Sequence, residues 1–530
     1  MRGPTRLRPA LVLLAAALAT ACGSTVQGTS TVAVGGGAGG TGDGLGGSAP
    51  AGTSGSAGTT GGTSGTGSTG DFLGGATGGA GGASGTTGGT GTSTGGTTGG
   101  PAPSGGSSSG PGVTATKVYI GLIHDVNAGA VNQAAGIGAI TTGDTNANYN
   151  AIIKDINKHG GVGGRQLVPV YAEFDSTSSQ TLDQQYSAVC QKFTHDEPRV
   201  FAVDGIGVES YRECIAKAGA TMLSTSLPTI GAAALARYPG LIEQGYPNVD
   251  RLAAYEVTPL VEQKYFTPWN NVTGQPAAAG AVKVGVLTYN DTVFSYAVDH
   301  YLVPALKKLG YDPLVEKVAP VTTASDYGAQ GAAVKSAQLA FASQGITHVI
   351  PFESNGGLST LFLPTARSQG YFPRYGVSSS SASEALLEAG AADGSQMNGA
   401  VGFGWIPSVD LKTAENPATG PYSGPERRYC LQVMKDNGIT FDSGNAETIA
   451  LSSCADLYLL KRSLDATPAL ITQATFVRGA EALGATYQRA GTVGQAFRPG
   501  RHDPSDKAYH WRYVAACTCF RYDDKPQNVP

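Results

Sequence analysis

The sequence carries little charge. Only 14% of its residues are Asp, Glu, Lys or Arg, the net charge is −4 and the pI is near 6.0. It lacks the clustered basic face that nucleic acid binding needs, which excludes nucleic acid as an expected partner. Its 7 histidines are scattered and form no H-x3-H pair, so neither a zinc site nor any other metal is expected. No Ser, Cys or Lys stands in a recognisable nucleophile context. GSSSG at 106–110 spells the G-x-S-x-G pattern, but that motif needs a strand before it and a helix after it. Neither is present. His124-Asp125 follows the first expected strand and reads as a polar contact rather than an acid–base pair. The chain is therefore expected not to be an enzyme and to need no cofactor. The apolar run at residues 10–19 is also too short to cross a bilayer, which takes about 20 residues.

Glycine is what the chain has in excess. It totals 78, and most of it falls before residue 113. Arg2, Arg6 and Arg8 precede the short apolar run, and Ala19-Thr20-Ala21-Cys22 follows it. This pattern predicts a signal peptide over residues 1–21. Residues 19–22 are similar to the bacterial lipobox, although Ala19 stands where that motif usually has Leu. The similarity implies lipidation of Cys22 and a protein held outside the cytoplasm, anchored by lipid to the outer face of the bacterial cell membrane. The alternative is ordinary cleavage with Cys22 left as a free thiol. Residues 22–112 are Gly, Ser, Thr and Ala with almost no charge and few apolar side chains. Such a segment cannot bury enough surface to offset the entropy of ordering, and is expected to be a disordered tether. As a flexible coil of roughly 90 residues it would reach about 50 Å on average.

Patterned sequence begins near residue 117. KVYIGLI reads as a strand, and Tyr149, Ile152, Ile153 and Ile156 repeat on one face of a helix. The glycines of INKHGGVGGRQL come next, after a helix and before the strand LVPVY. A phosphate loop runs the other way, from strand into helix. Gly160 or Gly161 is therefore expected to end the helix, and Gly163-Gly164 to turn the chain into the strand. The alternation continues through strands near 200–203 and 221–223, and restarts at 282–287, 314–318, 347–352 and 375–378. Strands alternating with helices predict parallel sheets covered by helices on both faces, in two successive α/β domains.

NYNAIIKDINKHGGVGGRQL, followed by a strand and then EFDSTSSQTLDQQYSAVCQKF, resembles the N-terminal domain of type I periplasmic binding proteins of the leucine/isoleucine/valine-binding branch. KVGVLTYNDTVFSYAVDHYLVPALKKLGY, ASDYGAQGAAVKSAQ and ITHVIPFES resemble the opening units of its second domain. The resemblance implies two doubly wound parallel-sheet lobes joined by a three-segment hinge. Lobe 1 would comprise residues 113–258 and 400–500, and lobe 2 residues 259–399 and 501–530. It also implies a monomeric solute-binding lipoprotein that captures a small polar solute, an amino acid, amide or related metabolite, and delivers it to an ABC permease. A ligand sensor on the same fold is the alternative, with an enzyme behind it.

Six cysteines remain besides Cys22. An even number behind a signal peptide argues for disulfides. Sequence proximity favours Cys190 with Cys214, a region where the family often has a bridge, and Cys430 with Cys454, joining two helices. For Cys517 and Cys519 a strained C-x-C ring and a redox or metal pair both stay open.

Ligands of open α/β sheets bind at the carboxyl ends of the strands. There the resemblance nominates Asp125 and Asn127, then Gly207, Glu209 and Ser210 at a helix start where the family holds a ligand carboxylate. Glu209 is an unfavourable neighbour for such an anion. Ser224, Thr225 and Ser226 follow. From lobe 2 come Tyr289, Asp291, Glu353, Ser354 and Ser379. Each has an alternative in turn or helix-capping chemistry. RYGVSSSS carries only hydroxyls where amino-acid binders have an acidic residue, which leaves Glu353 or Asp291 to substitute, or a solute that is not an amino acid.

Overall fold

The computed structural model describes residues 109–130, 140–205, 207–224, 229–323, 326–417, 420–467 and 469–530. The expected signal peptide, Cys22, the tether up to residue 108, Thr225 and Ser226 lie outside these residues. Residues 109–112, expected in the tether, belong to the folded body. The Gly110 amide donates to the Ile471 carbonyl at 2.8 Å, and Gly112 lies against the backbone of Val200 and Phe201.

The first sheet holds β1 (Lys117–Val126), β2 (Gln166–Asp175), β3 (Ala202–Asp204), β4 (Thr221–Ser224) and β5 (Leu241–Glu243), all parallel, in the order β2-β1-β3-β4-β5. Helices α1 (Thr145–Lys158), α2 (Leu182–Thr194) and α3 (Glu209–Lys217) connect them. α1 starts where the Asp144 carboxylate accepts from the Ala147 amide, and it buries Tyr149, Ile152, Ile153 and Ile156. Full burial of each such side chain stabilises by about 1.5–3 kcal/mol relative to exposure.

The glycine cluster does what its order in the chain predicts. Gly161 has φ +73° and its amide returns to the Ile156 carbonyl at 2.9 Å, closing the end of α1. Gly163 and Gly164, at φ +53° and +75°, form the tight turn between Val162 and Arg165, which exchange backbone hydrogen bonds of 2.7 and 3.0 Å.

A short ribbon of β6 (Trp269–Asn270) and β7 (Gln275–Pro276) precedes the second sheet. That sheet contains β8 (Val284–Tyr289), β9 (Leu314–Val318), β10 (His348–Phe352), β11 (Arg374–Ser378), β12 (Val401–Gly404), β13 (Lys507–Val514) and β14 (Cys519–Asn528), in the order β14-β13-β12-β11-β10-β8-β9. Helices α4 (Asp326–Ser343) and α5 (Gly357–Ser368) cover it. β8 to β12 are parallel, while β13 and β14 form an antiparallel hairpin on one edge. β12 corrects the expected boundary at residue 400. It pairs with β11 and β13, so the chain stays in the second lobe through Gly404.

The chain then crosses back. α6 (Pro425–Asp436), α7 (Gly444–Asp465) and α8 (Gln473–Leu483) share one apolar core with β1 and α1. After α8 it returns to the second sheet as β13. The two lobes are thus joined by three crossings, after β5, after β12 and after α8.

Disulfides link Cys190 to Cys214, Cys430 to Cys454 and Cys517 to Cys519. The first ties α2 to α3 and the second ties α6 to α7. The third closes the β13–β14 turn. Its bonded sulfurs leave no thiolate for a metal, although Glu415 lies beside them.

Candidate functional site

The carboxyl ends of both sheets converge between the lobes, and the lobes touch there. The Leu182 amide at the start of α2 donates to the Thr322 carbonyl of the second lobe at 3.1 Å. Ala128 and Ile140, from the segment after β1, pack into the core of the second lobe. On the hinge side Trp405 is fully buried, meets Tyr246 edge-on at 5.6 Å and donates its indole N–H to the Gly245 carbonyl at 3.2 Å. A cavity of about 500 Å³ opens between the lobes, lined by Glu209, Arg212 and Arg237 from the first and Thr292, Tyr296 and Tyr301 from the second.

The nominated residues of the first lobe divide. Asp125 lies inside β1 rather than in a loop after it. The Ser176 hydroxyl donates to both its oxygens at 2.6 and 2.7 Å, and burial pushes its carboxyl up to about 7. Asn127 takes a left-handed turn at φ +71° and donates to Asp175 at 2.9 Å. Gly207 has φ +43°, and a Cβ there would stand 2.6 Å from the Tyr186 ring. Its carbonyl accepts from Arg212 at 2.8 Å. Glu209 is matched rather than exposed to an anion. It accepts from Arg212 and Arg237 at 3.0 Å each and from the Tyr238 hydroxyl at 2.6 Å. Partial burial raises its carboxyl, but these donors outweigh it and the net shift is downward. Ser210 is turned to Asp183, to which it donates at 2.6 Å. Ser224 ends β4 and donates to Glu243.

In the second lobe two nominated carboxylates cap helices. Asp291 accepts from the amides of Val293 and Phe294 at 2.8 and 2.7 Å. Glu353 accepts from the amides of Leu358 and Ser359 at 2.5 and 3.0 Å, at the start of α5. Free N–H groups at a helix start attract a carboxylate, which accounts for both positions. Burial pushes Glu353 up to about 7. The Tyr289 hydroxyl lies against Gly357 under the same helix start. The Ser354 hydroxyl is buried without a hydrogen-bond partner among the described residues. Ser379 is buried, donates to Asp410 at 2.6 Å and accepts from the Trp405 amide at 2.8 Å. Burial pushes Asp410 up to about 7.

One buried polar cluster was not nominated. Asp204 ends β3, Glu243 ends β5, Asp456 projects from α7, and Arg489 comes from the third crossing. All four are at most 4% exposed. Arg489 donates to Ser452 at 2.7 Å, and its guanidinium faces all three carboxyl groups. Burial pushes Glu243 up to about 8 and also raises Asp204 and Asp456, which face one another. Asp204 follows the strand VFAV directly and could have been read from the sequence. β5 is three residues long, and Arg489 lies in an irregular segment, so neither carries a local signal.

No protein-family model matches the sequence, and no curated protein does. Solved structures do. A fatty acid ABC transporter substrate-binding protein from Thermomonospora curvata is 15% identical, with a TM-score of 0.54 over 79% of this chain and 94% of that one. An ABC transporter substrate-binding protein from Aeropyrum pernix is 14% identical, with a TM-score of 0.54 over 78% and 97%. A solute-binding protein of an ABC transporter from Rhodopseudomonas palustris HaA2, in complex with p-hydroxybenzoic acid, is 12% identical, with a TM-score of 0.51 over 78% and 97%.

Proposed function

We propose that this chain, which has the type I periplasmic-binding fold, is an extracytoplasmic solute-binding protein. It captures a small polar solute between its lobes and presents it to an ABC permease. The observation that carries the reading is the cavity of about 500 Å³ between the lobes, lined by polar and charged groups of both. The Ser354 hydroxyl, just after β10, is buried without a hydrogen-bond partner among the described residues. A cleft with a few convergent polar groups from two lobes suits a small polar ligand. Binding is non-covalent, and closure of the lobes about the three crossings retains the solute. Export and a lipid on Cys22 hold the protein at the membrane face, with residues 23–108 as the tether.

Two experiments test this reading. Native mass spectrometry of the full chain, purified without denaturation, should show a species heavier than the denatured chain by one small molecule. A single unliganded mass from protein loaded with every solute class would contradict solute capture. For the anchor, Cys22→Ala should move the protein from the membrane to the soluble fraction. Unchanged membrane association would rule out the lipid.

A further inference from the structure

A second cavity, of about 360 Å³, lies in the first lobe and shares no lining residue with the cavity between the lobes. It is formed by α6, α7 and the segment after α8. Its walls are largely aromatic. Tyr429 of α6 and Tyr458 of α7 meet edge-on, with ring centroids 5.5 Å apart. Tyr487, from the segment after α8, and the Cys430–Cys454 disulfide lie beside them. A hydrogen bond at the hydroxyl end holds each ring. Tyr429 and Tyr458 both donate to Asp155 of α1, the first at 2.7 Å, and Tyr487 donates to Gln244 at 2.8 Å. The rings are thus placed before any ligand arrives, which lowers the cost of binding. Tyr429 is 44% exposed, so its ring has surface left for a ligand to cover. The polar end of the cavity is an imperfect ion pair. Arg462 Nη1 stands 3.6 Å from Glu426 Oε1, too long for a hydrogen bond, and the guanidinium lies over the Tyr487 ring at 5.7 Å. Neither side chain has a hydrogen-bond partner among the described residues. Lys461, also on the wall, is already committed to Asp465 at 2.8 Å and to the Gly161 carbonyl at 2.7 Å. The cavity therefore offers one donor and one acceptor side by side, at the edge of an aromatic wall.

We propose that this cavity is a second ligand site, outside the cleft, and that it takes a small neutral aromatic amide. The ring lies against the tyrosines. The amide N–H donates to Glu426 and the amide oxygen accepts from Arg462. An amide carries one donor group and one acceptor on adjacent atoms, which matches the pair it meets. Both hydrogen bonds are assisted by a charge on the protein, and both charges stay balanced by each other. A carboxylate on the same ring satisfies Arg462 but sets a like charge against Glu426. An ammonium satisfies Glu426 and is repelled by Arg462. The volume falls at the lower end of the range for small-molecule sites, about 300–1,000 Å³, which suits a molecule of one or two rings. The inference goes beyond solute capture between the lobes and does not depend on it.

The test uses the full chain and isothermal titration with benzamide, beside benzoate and benzylamine, which carry the same ring with an acceptor alone or a donor alone. Benzamide should bind, and about tenfold or more tighter than either counterpart, the loss expected when a charged partner is left unmatched. Arg462→Met and Glu426→Ala should each weaken benzamide about tenfold or more, and Tyr429→Ala several-fold. Neither Arg462 nor Glu426 has a hydrogen bond to lose, so these variants should keep the unfolding midpoint of the parent chain. Should one fail to fold, the other and Tyr429→Ala carry the test. Benzamide binding that survives all three substitutions lies elsewhere, in the cleft or on the surface, and overturns the proposal. Benzoate or benzylamine binding as tightly as benzamide overturns it too, as does the absence of benzamide binding at millimolar concentration. None of these outcomes touches solute capture, which the mass of the natively purified chain decides separately.

Discussion

Gly161 and Gly164 stand three residues apart and answer to different constraints. Both have positive φ, but a Cβ on Gly161 would lie 1.9 Å from the Arg165 carbonyl oxygen, whereas one on Gly164 meets nothing within 4 Å. A left-handed conformation costs a non-glycine residue roughly 1–2 kcal/mol. Gly164→Ala should lose about that much in a urea unfolding curve, and Gly161→Ala should lose clearly more because backbone must also move. Equal losses would mean that the turn yields as a unit. These glycines were readable in advance because their role depends only on what precedes and follows them. Glu353 and Asp291 were not readable in the same way. A carboxylate after a strand suits a ligand or a helix start equally, and only the amides of Leu358, Ser359, Val293 and Phe294 decide for the helix.

At the scale of elements, the long amphipathic segments were legible and the short ones were not. α1 announces itself through four apolar positions at helical spacing. β5 and β12, three and four residues long, offer too few positions to show a period, and the lobe boundary was misplaced at β12 for that reason. The disulfides act at this scale. Cys430 and Cys454 lie 24 residues apart and join α6 to α7, the pair that packs on α1. A closed loop of that size is worth about 3 kcal/mol in the chain-entropy model. The double variant Cys430→Ala/Cys454→Ala should therefore lower the thermal midpoint of the first lobe by several degrees while leaving far-ultraviolet circular dichroism at 25 °C unchanged. No shift in the midpoint would show that the helices hold each other without the bridge.

At the scale of the molecule, buried acids are spread over both lobes. Asp125, Glu353 and Asp410 are raised to about 7 and Glu243 to about 8, each mainly by burial. The folded chain therefore holds more protons than the unfolded chain between the ordinary carboxylate range and about pH 8. Stability is fully present below that range and is lost as pH rises through the folded values, by about 1.4 kcal/mol per pH unit for each group that titrates. The unfolding midpoint of the solute-free protein should fall from pH 5 to pH 8 and level off above about pH 9. A midpoint that rises over that interval would contradict the burial of these groups. The two-lobe plan was legible from the order of strands and helices, since that order is a property of the whole chain. The acidic cluster was not, because it joins two strand ends, a helix face and an irregular segment that are far apart in sequence. The central claim, that a solute is captured between the lobes, is tested most directly by thermal unfolding of the full chain with its disulfides intact, against amines, amides, amino acids, sugars and carboxylates. One chemical class at about 100 times its dissociation constant should stabilise the fold by about 2.7 kcal/mol and raise the midpoint by several degrees. An unchanged midpoint across every class would contradict the claim.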